Sequence, residues 1–268
     1  MMIPTMLLLL AAGIGLTQAV SDPRAVTLPW LRLGGIIAVT LLVVAVAAVV
    51  HSEGWDARAA ITGIASPAVA FIVQLMAVQL GYRIRQRFAA AMGFLLAALS
   101  ATVFAGMILA HQKSALADVP SLTPGDWAAL LATVCLSAGL LGGFLMTMLL
   151  GHAYLTAGNE MTQSPFRRVV LMLAALLIAR ALVSVALGLV PWLNAPPRAG
   201  SQLWLMMMMV ARYAVGIVVT GAFVYMTHDC VKRRANQSAT GILYVAGVLI
   251  IIGEWSALSL LDSTGFAF

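Results

Sequence analysis

Apolar residues dominate eight stretches of this chain, and polar residues collect in the short gaps between them. The stretches run over 2–20, 29–51, 60–81, 87–111, 127–154, 168–191, 203–228 and 239–261. Each is close to the ~20 residues that an α-helix needs to cross a ~30 Å hydrocarbon layer. Neither an alternating strand pattern nor a polar stretch long enough for a separate soluble domain interrupts them. The pattern therefore predicts an all-α polytopic membrane protein, one bundle of eight transmembrane helices over 1–268, joined by short loops. Pro23, Pro29, Pro120, Pro124, Pro165, Pro191, Pro196 and Pro197 punctuate the gaps, and Pro67 falls inside the third stretch, where a kink is expected.

Composition agrees. The chain is 62% hydrophobic and 9% charged, with a mean hydropathy of +1.02, whereas soluble domains carry roughly 25% charged residues. The first stretch has the small residues Thr17-Gln18-Ala19 that an export signal could use for cleavage. Its leading residues Met1 to Met6 lack the positive side chain such a signal needs, so it is expected to remain as a span.

Charge sorts by loop. Odd-numbered loops hold Arg24, Arg32, Arg83, Arg85, Arg87, Arg167, Arg168, Lys232, Arg233 and Arg234; even-numbered loops hold Arg58, Lys113 and Arg198. Positive residues favour the cytoplasmic side, which places the odd loops there, in an inner membrane, with both termini outside. Glu53, Asp56, Asp118, Asp126 and Asp262 fall on the opposite side, with an aromatic belt of Trp55, Trp127, Trp192 and Trp204. The net charge of +6 thus reports topology and implies no nucleic-acid partner.

Against this background three ionisable residues stand out: Arg180, Arg212 and Glu254 lie inside apolar stretches. At 1.5 Å per residue, Arg180 is about 18 Å from the inner edge, Arg212 roughly 13 Å from the outer, and Glu254 about 24 Å from the inner. All three are able to meet in one layer. Charges at membrane depth are expensive and are usually paired or set against a wet cavity. Two guanidiniums and one carboxylate carry an excess positive charge, which suits a quinone oxygen, a substrate carboxylate or a haem propionate. A structural ion pair locking the last three helices is the plainer reading. Arg212, Gly216 and Thr220 share a helical face, as do Thr240, Gly247 and Glu254, while Gly139 and Gly143 form a small-residue pair suited to tight helix packing.

The four histidines end helices in pairs. His51 and His111 close the second and fourth stretches on one side, and His152 and His228 close the fifth and seventh on the other. Each pair offers two axial nitrogens for a haem b, or simply marks amphipathic helix ends. Asp229 beside His228 is placed to orient an imidazole or to balance Lys232. The run Arg233 to Gly241 resembles an anion-binding helix start with Ser238 as N-cap. Gln74, Gln79, Ser100 and Thr102 are read as interhelical hydrogen-bonding groups, and Met206 to Met209 as packing. Cys135 and Cys230 are too far apart in depth for a disulfide, and no cysteine spacing suits an iron–sulfur cluster or c-type haem.

Nucleotide-binding, zincin and serine-hydrolase motifs are absent. No inverted repeat relates the two halves, which weakens a transporter reading. The expectation that follows is a membrane anchor and electron-transfer subunit of a respiratory-type redox complex. It would handle quinone and possess possible haem b sites, among lipid and other membrane or peripheral subunits. An anion transporter and a non-catalytic scaffold subunit are the alternatives.

Overall fold

The computed structural model describes residues 1–51, 57–116, 122–157, 162–194 and 202–268. Glu53, Trp55, Asp56, Asp118, Pro120, Pro196, Pro197 and Arg198 lie outside these residues, as do the side chains of Arg58 and Lys113. The described residues form eight helices long and apolar enough to cross a membrane, and include no strand. They are α1 (Met2–Val20), α2 (Leu28–Val50), α3 (Ala57–Gln79), α4 (Arg83–Leu116), α5 (Pro124–Ala157), α6 (Ser164–Leu193), α7 (Gln202–Lys232) and α8 (Asn236–Thr264).

Several helices outrun their apolar stretches. α4 and α5 each have 34 residues, about 51 Å at 1.5 Å per residue, against a hydrocarbon layer of ~30 Å. Hydropathy marks only the part of a helix that sits in hydrocarbon. Arg83, Arg85, Gln86 and Arg87 are good helix formers and carry α4 on beyond that layer. Pro29, Pro124 and Pro165 stand in the first turns of α2, α5 and α6, not in the gaps. A proline costs least there, because the missing N–H would have had no helical partner.

α1 is the hub. It packs against α2, α4 and α5, with α3 laid against α2 and α4 on the far side. Its residues Leu8, Ala11, Ala12 and Ile14 are fully buried. At its crossing with α5, a Cβ added at Gly13 would lie 1.7 Å from the Ala138 carbonyl, and one at Gly142 would meet the Gly13 backbone at 2.3 Å. The closest backbone approach on α5 therefore uses Ala138 and Gly142. The expected pair, Gly139 and Gly143, instead receives Leu176 and Leu173 of α6. Small residues allow this proximity, and dispersion gains rise with it.

Polar side chains tie the hub further. Gln74 of α3 donates to Gln18 of α1, which donates to the Leu31 carbonyl of α2, and Trp30 donates to the Met146 carbonyl of α5. Ser100 of α4 bonds the Gly63 carbonyl of α3. Gln79 is exposed and Thr102 bonds its own helix, so neither bridges helices as the sequence suggests.

α5 joins this half to the other, packing against α1, α6 and α8, while α7 packs against α6 and α8. Two π-helical stretches occur here, Val185–Leu189 in α6 and Ala211–Val219 in α7. The first ends two residues before Pro191, which has no N–H to give the Leu187 carbonyl. Thr220 closes the second by bonding the carbonyl five residues back, at Val215. The outward faces are predominantly apolar, with Ile36, Val43, Ile178, Leu182 and Val218 exposed, and exposed hydroxyls such as Thr40 bond their own helix.

Alanine substitution separates packed from unpacked glycines. Gly13→Ala should destabilise the protein by at least about 2 kcal/mol, because the neighbour is backbone and cannot turn aside. Gly247 has open space around it, so Gly247→Ala should be neutral or slightly stabilising, by up to ~1 kcal/mol. Denaturation of the two purified variants side by side checks the difference.

Candidate functional site

The glycine contact between α7 and α8 sets the site. A Cβ at Gly216 would lie 2.5 Å from the Gly253 Cα, and the reverse holds equally. With the two backbones touching, Arg212, one turn before Gly216, reaches Glu254, the residue after Gly253. Arg212 Nη1 donates to Glu254 Oε1 at 2.7 Å. From α6, Arg180 Nη2 donates to Glu254 Oε2 at 3.2 Å. One carboxylate is thus gripped by a guanidinium on each oxygen. All three side chains are buried, at 1% exposure or less.

A second ring of partners fixes the geometry. Ser137 of α5 donates to Glu254 Oε2 at 2.6 Å and accepts from Arg180 Nε at 2.9 Å. Arg212 Nε reaches the Ser184 hydroxyl at 3.3 Å, and Tyr213 donates to the Ser184 carbonyl at 2.9 Å. After α8 the chain turns at Gly265, in the left-handed conformation with φ 73°, and folds back into the bundle. The Phe268 carbonyl there accepts from Arg180 Nη2 at 2.5 Å. Its ring is buried against Gly188, where any side chain would collide with it, in a pocket that includes Trp192, Met208, Met209 and Tyr213. Met208 and Met209 pack as the sequence suggests; Met206 and Met207 are exposed.

Two donors are left over. Arg180 Nη1 and Arg212 Nη2 are buried without a hydrogen-bond partner. Beside Arg180, Ser137 and Glu254 lies a cavity of about 20 Å³, bounded also by Leu9, Thr133 and Phe268. That is room for a single water, which needs ≳10–15 Å³.

The structure brings together Arg180, Arg212 and Glu254, as their depths suggest. Ser137, Ser184, Tyr213, Gly188, Gly253 and the Phe268 carbonyl are additional. Ser184 was legible as the residue one helical turn after Arg180, and Gly253 as the neighbour of Glu254; Ser137 and Phe268 carry no local signal. Gly216 and Thr220 share the buried face of Arg212. Gly247, in contrast, has open space around it.

The histidines are arranged differently. His51, His111 and His152 are exposed and His228 is half-buried. α2 and α4, which carry His51 and His111, each pack against α1 and α3, and α5 and α7, which carry His152 and His228, each pack against α6 and α8. Gly151 beside His152 admits Thr240 of α8, not a flat cofactor. Asp229 pairs with Arg233 at 2.9 Å. Ser238 lies within α8, whose N-cap is Ala235, so it does not cap the helix. Among the described residues no group of three or more histidine, cysteine or acidic side chains is gathered for a metal.

Removing the shared carboxylate leaves two buried guanidiniums facing each other. Glu254→Gln should lower the unfolding free energy by about 3–5 kcal/mol, and Ser137→Ala by about 1–2 kcal/mol. Thermal or SDS denaturation of the purified variants gives the order. Comparison of the chain with protein-family models, curated proteins and solved structures finds no match.

Proposed function

We propose that this membrane protein is an anchor and electron-transfer subunit of a respiratory-type redox complex, and that the Arg180–Glu254–Arg212 group receives a quinone head. It would lie in an inner membrane with its arginine-rich loops in the cytoplasm. The observation that carries the reading is the donor surplus: two buried guanidiniums, one carboxylate, and an N–H₂ group on each arginine without an acceptor. A quinone oxygen is an acceptor of the kind these donors lack.

The Phe268 segment adds to this. Its backbone oxygen accepts from Arg180, and its ring packs in the apolar pocket alongside. It lies beyond α8, outside the helical hydrogen-bond ladder, after the Gly265 turn. Withdrawal of this segment would enlarge the one-water cavity to the size of a ring. Bound there, a quinone would supply two-electron, two-proton redox chemistry. Glu254 would hold both guanidinium planes in place, and Arg180 Nη1, which lacks an acceptor, would donate to the quinone oxygen. Haem b is set aside in this proposal, which needs only the buried Arg–Glu group.

A scaffold role without chemistry is the second reading, favoured by the small size of the cavity as it stands. The two differ in what the purified protein carries. Organic extraction from protein purified out of its native membrane should return about one lipoquinone per chain. Arg180→Lys should lose it while staying monodisperse and helical. Quinone no higher than in an unrelated membrane protein prepared alongside would eliminate the proposal in favour of the scaffold. A Soret band in the visible spectrum would show that haem had been wrongly set aside.

A further inference from the structure

At the arginine-rich end of the bundle, the α1–α2 connection and the first turns of α4 and α6 enclose an open groove of about 980 Å³. Four arginines line it: Arg24, Arg83, Arg87 and Arg168. Among the described residues Asp22 is the one acid in its wall, and its carboxylate is engaged locally by the Arg24 backbone N–H. Among the described residues none of the four arginines is ion-paired. Two are held in place by neutral acceptors: Arg83 donates to the Pro23 carbonyl, and Arg87 Nε to the Ala19 carbonyl at 2.6 Å. These bonds aim the guanidiniums without neutralising them.

The wall has a second character. Val20, Ile84 and Phe88 line the same groove and are largely exposed, Phe88 at 71%. They belong to the membrane-facing ends of α1 and α4, so the basic floor continues into an apolar flank. A free anion would use only the floor. A molecule with a phosphate at one end and acyl chains at the other would use both. The N-termini of α4 and α6, both long helices, add their positive dipole ends to the same place.

We propose that this groove is a binding site for an anionic phospholipid, whose phosphate is held by Arg24, Arg83, Arg87 and Arg168 and whose chains lie along Val20, Ile84 and Phe88. Basic pockets between helices at a charged membrane face are suited to such headgroups, and multiple phosphates suit a net charge of this size. The site is separate from the buried Arg–Glu group and independent of the quinone reading.

The test is lipid retention by the intact protein in detergent, read by native mass spectrometry with added cardiolipin, phosphatidylglycerol or phosphatidylcholine. The side chains of Arg24 and Arg168 are exposed, so Arg24→Gln with Arg168→Gln should leave the fold intact. This double variant should weaken cardiolipin retention roughly tenfold or more. Arg85→Gln with Arg167→Gln removes the same charge from the same end but outside the groove, and should retain lipid as the parent does. Equal loss in both variants would reduce the effect to general surface charge and overturn the site. Equal retention of phosphatidylcholine would overturn its selectivity for anions. Inorganic phosphate that displaces cardiolipin at millimolar concentration would assign the groove to a free anion instead.

Discussion

One carboxylate with a guanidinium on each oxygen, shielded from lipid and water, is the interaction around which the second half of the molecule is arranged. Glu254 collects α5 through Ser137, α6 through Arg180 and α7 through Arg212. An isolated charge at this depth would be prohibitive, and even a paired one demands that every lone pair and N–H find a place. That demand explains features that otherwise look unrelated. The Gly216–Gly253 contact lets α7 come close enough for Arg212 to reach. The π-helical stretch containing Arg212 fixes where its side chain emerges, and Ser184 and Tyr213 hold that side chain from behind.

The first half of the protein solves a different problem with different means. Its helices meet mainly through apolar contacts, the Gly13–Gly142 crossing and a relay of neutral amides from Gln74 through Gln18 to the Leu31 carbonyl. Such groups cost far less to bury than ions do. This half offers a stable wall, and Leu9 of α1 contributes to the small cavity beside Arg180. The two halves therefore divide the labour: one supplies rigidity, the other holds the charge.

Much of this was legible in the sequence because membrane helices announce themselves by length and hydropathy alone. The eight spans were readable, and so was the meeting of Arg180, Arg212 and Glu254, since depth along a helix can be counted from its end. Rotation about the helix axis could not be counted. The π turns of α6 and α7 rotate the side chains that follow them by an amount that spacing does not reveal. Contacts that reach across the fold without a pattern, such as Ser137 with Glu254 or Phe268 with Arg180, leave no trace in local spacing.

The separation of the ionic partners along the chain has a consequence for biogenesis. Arg180 precedes Glu254 by 74 residues and Arg212 does so by 42, so in N-to-C order both arginines reach the bilayer before their counter-ion does. On the translocon scale each costs about 2.5–3.5 kcal/mol at the centre of a helix. The strongly apolar remainder of α6 has to carry Arg180 through that interval. The nascent protein must then hold α6 and α7 near the insertion machinery, or another polar surface, until α8 arrives, which makes the last helix the one whose arrival commits the bundle.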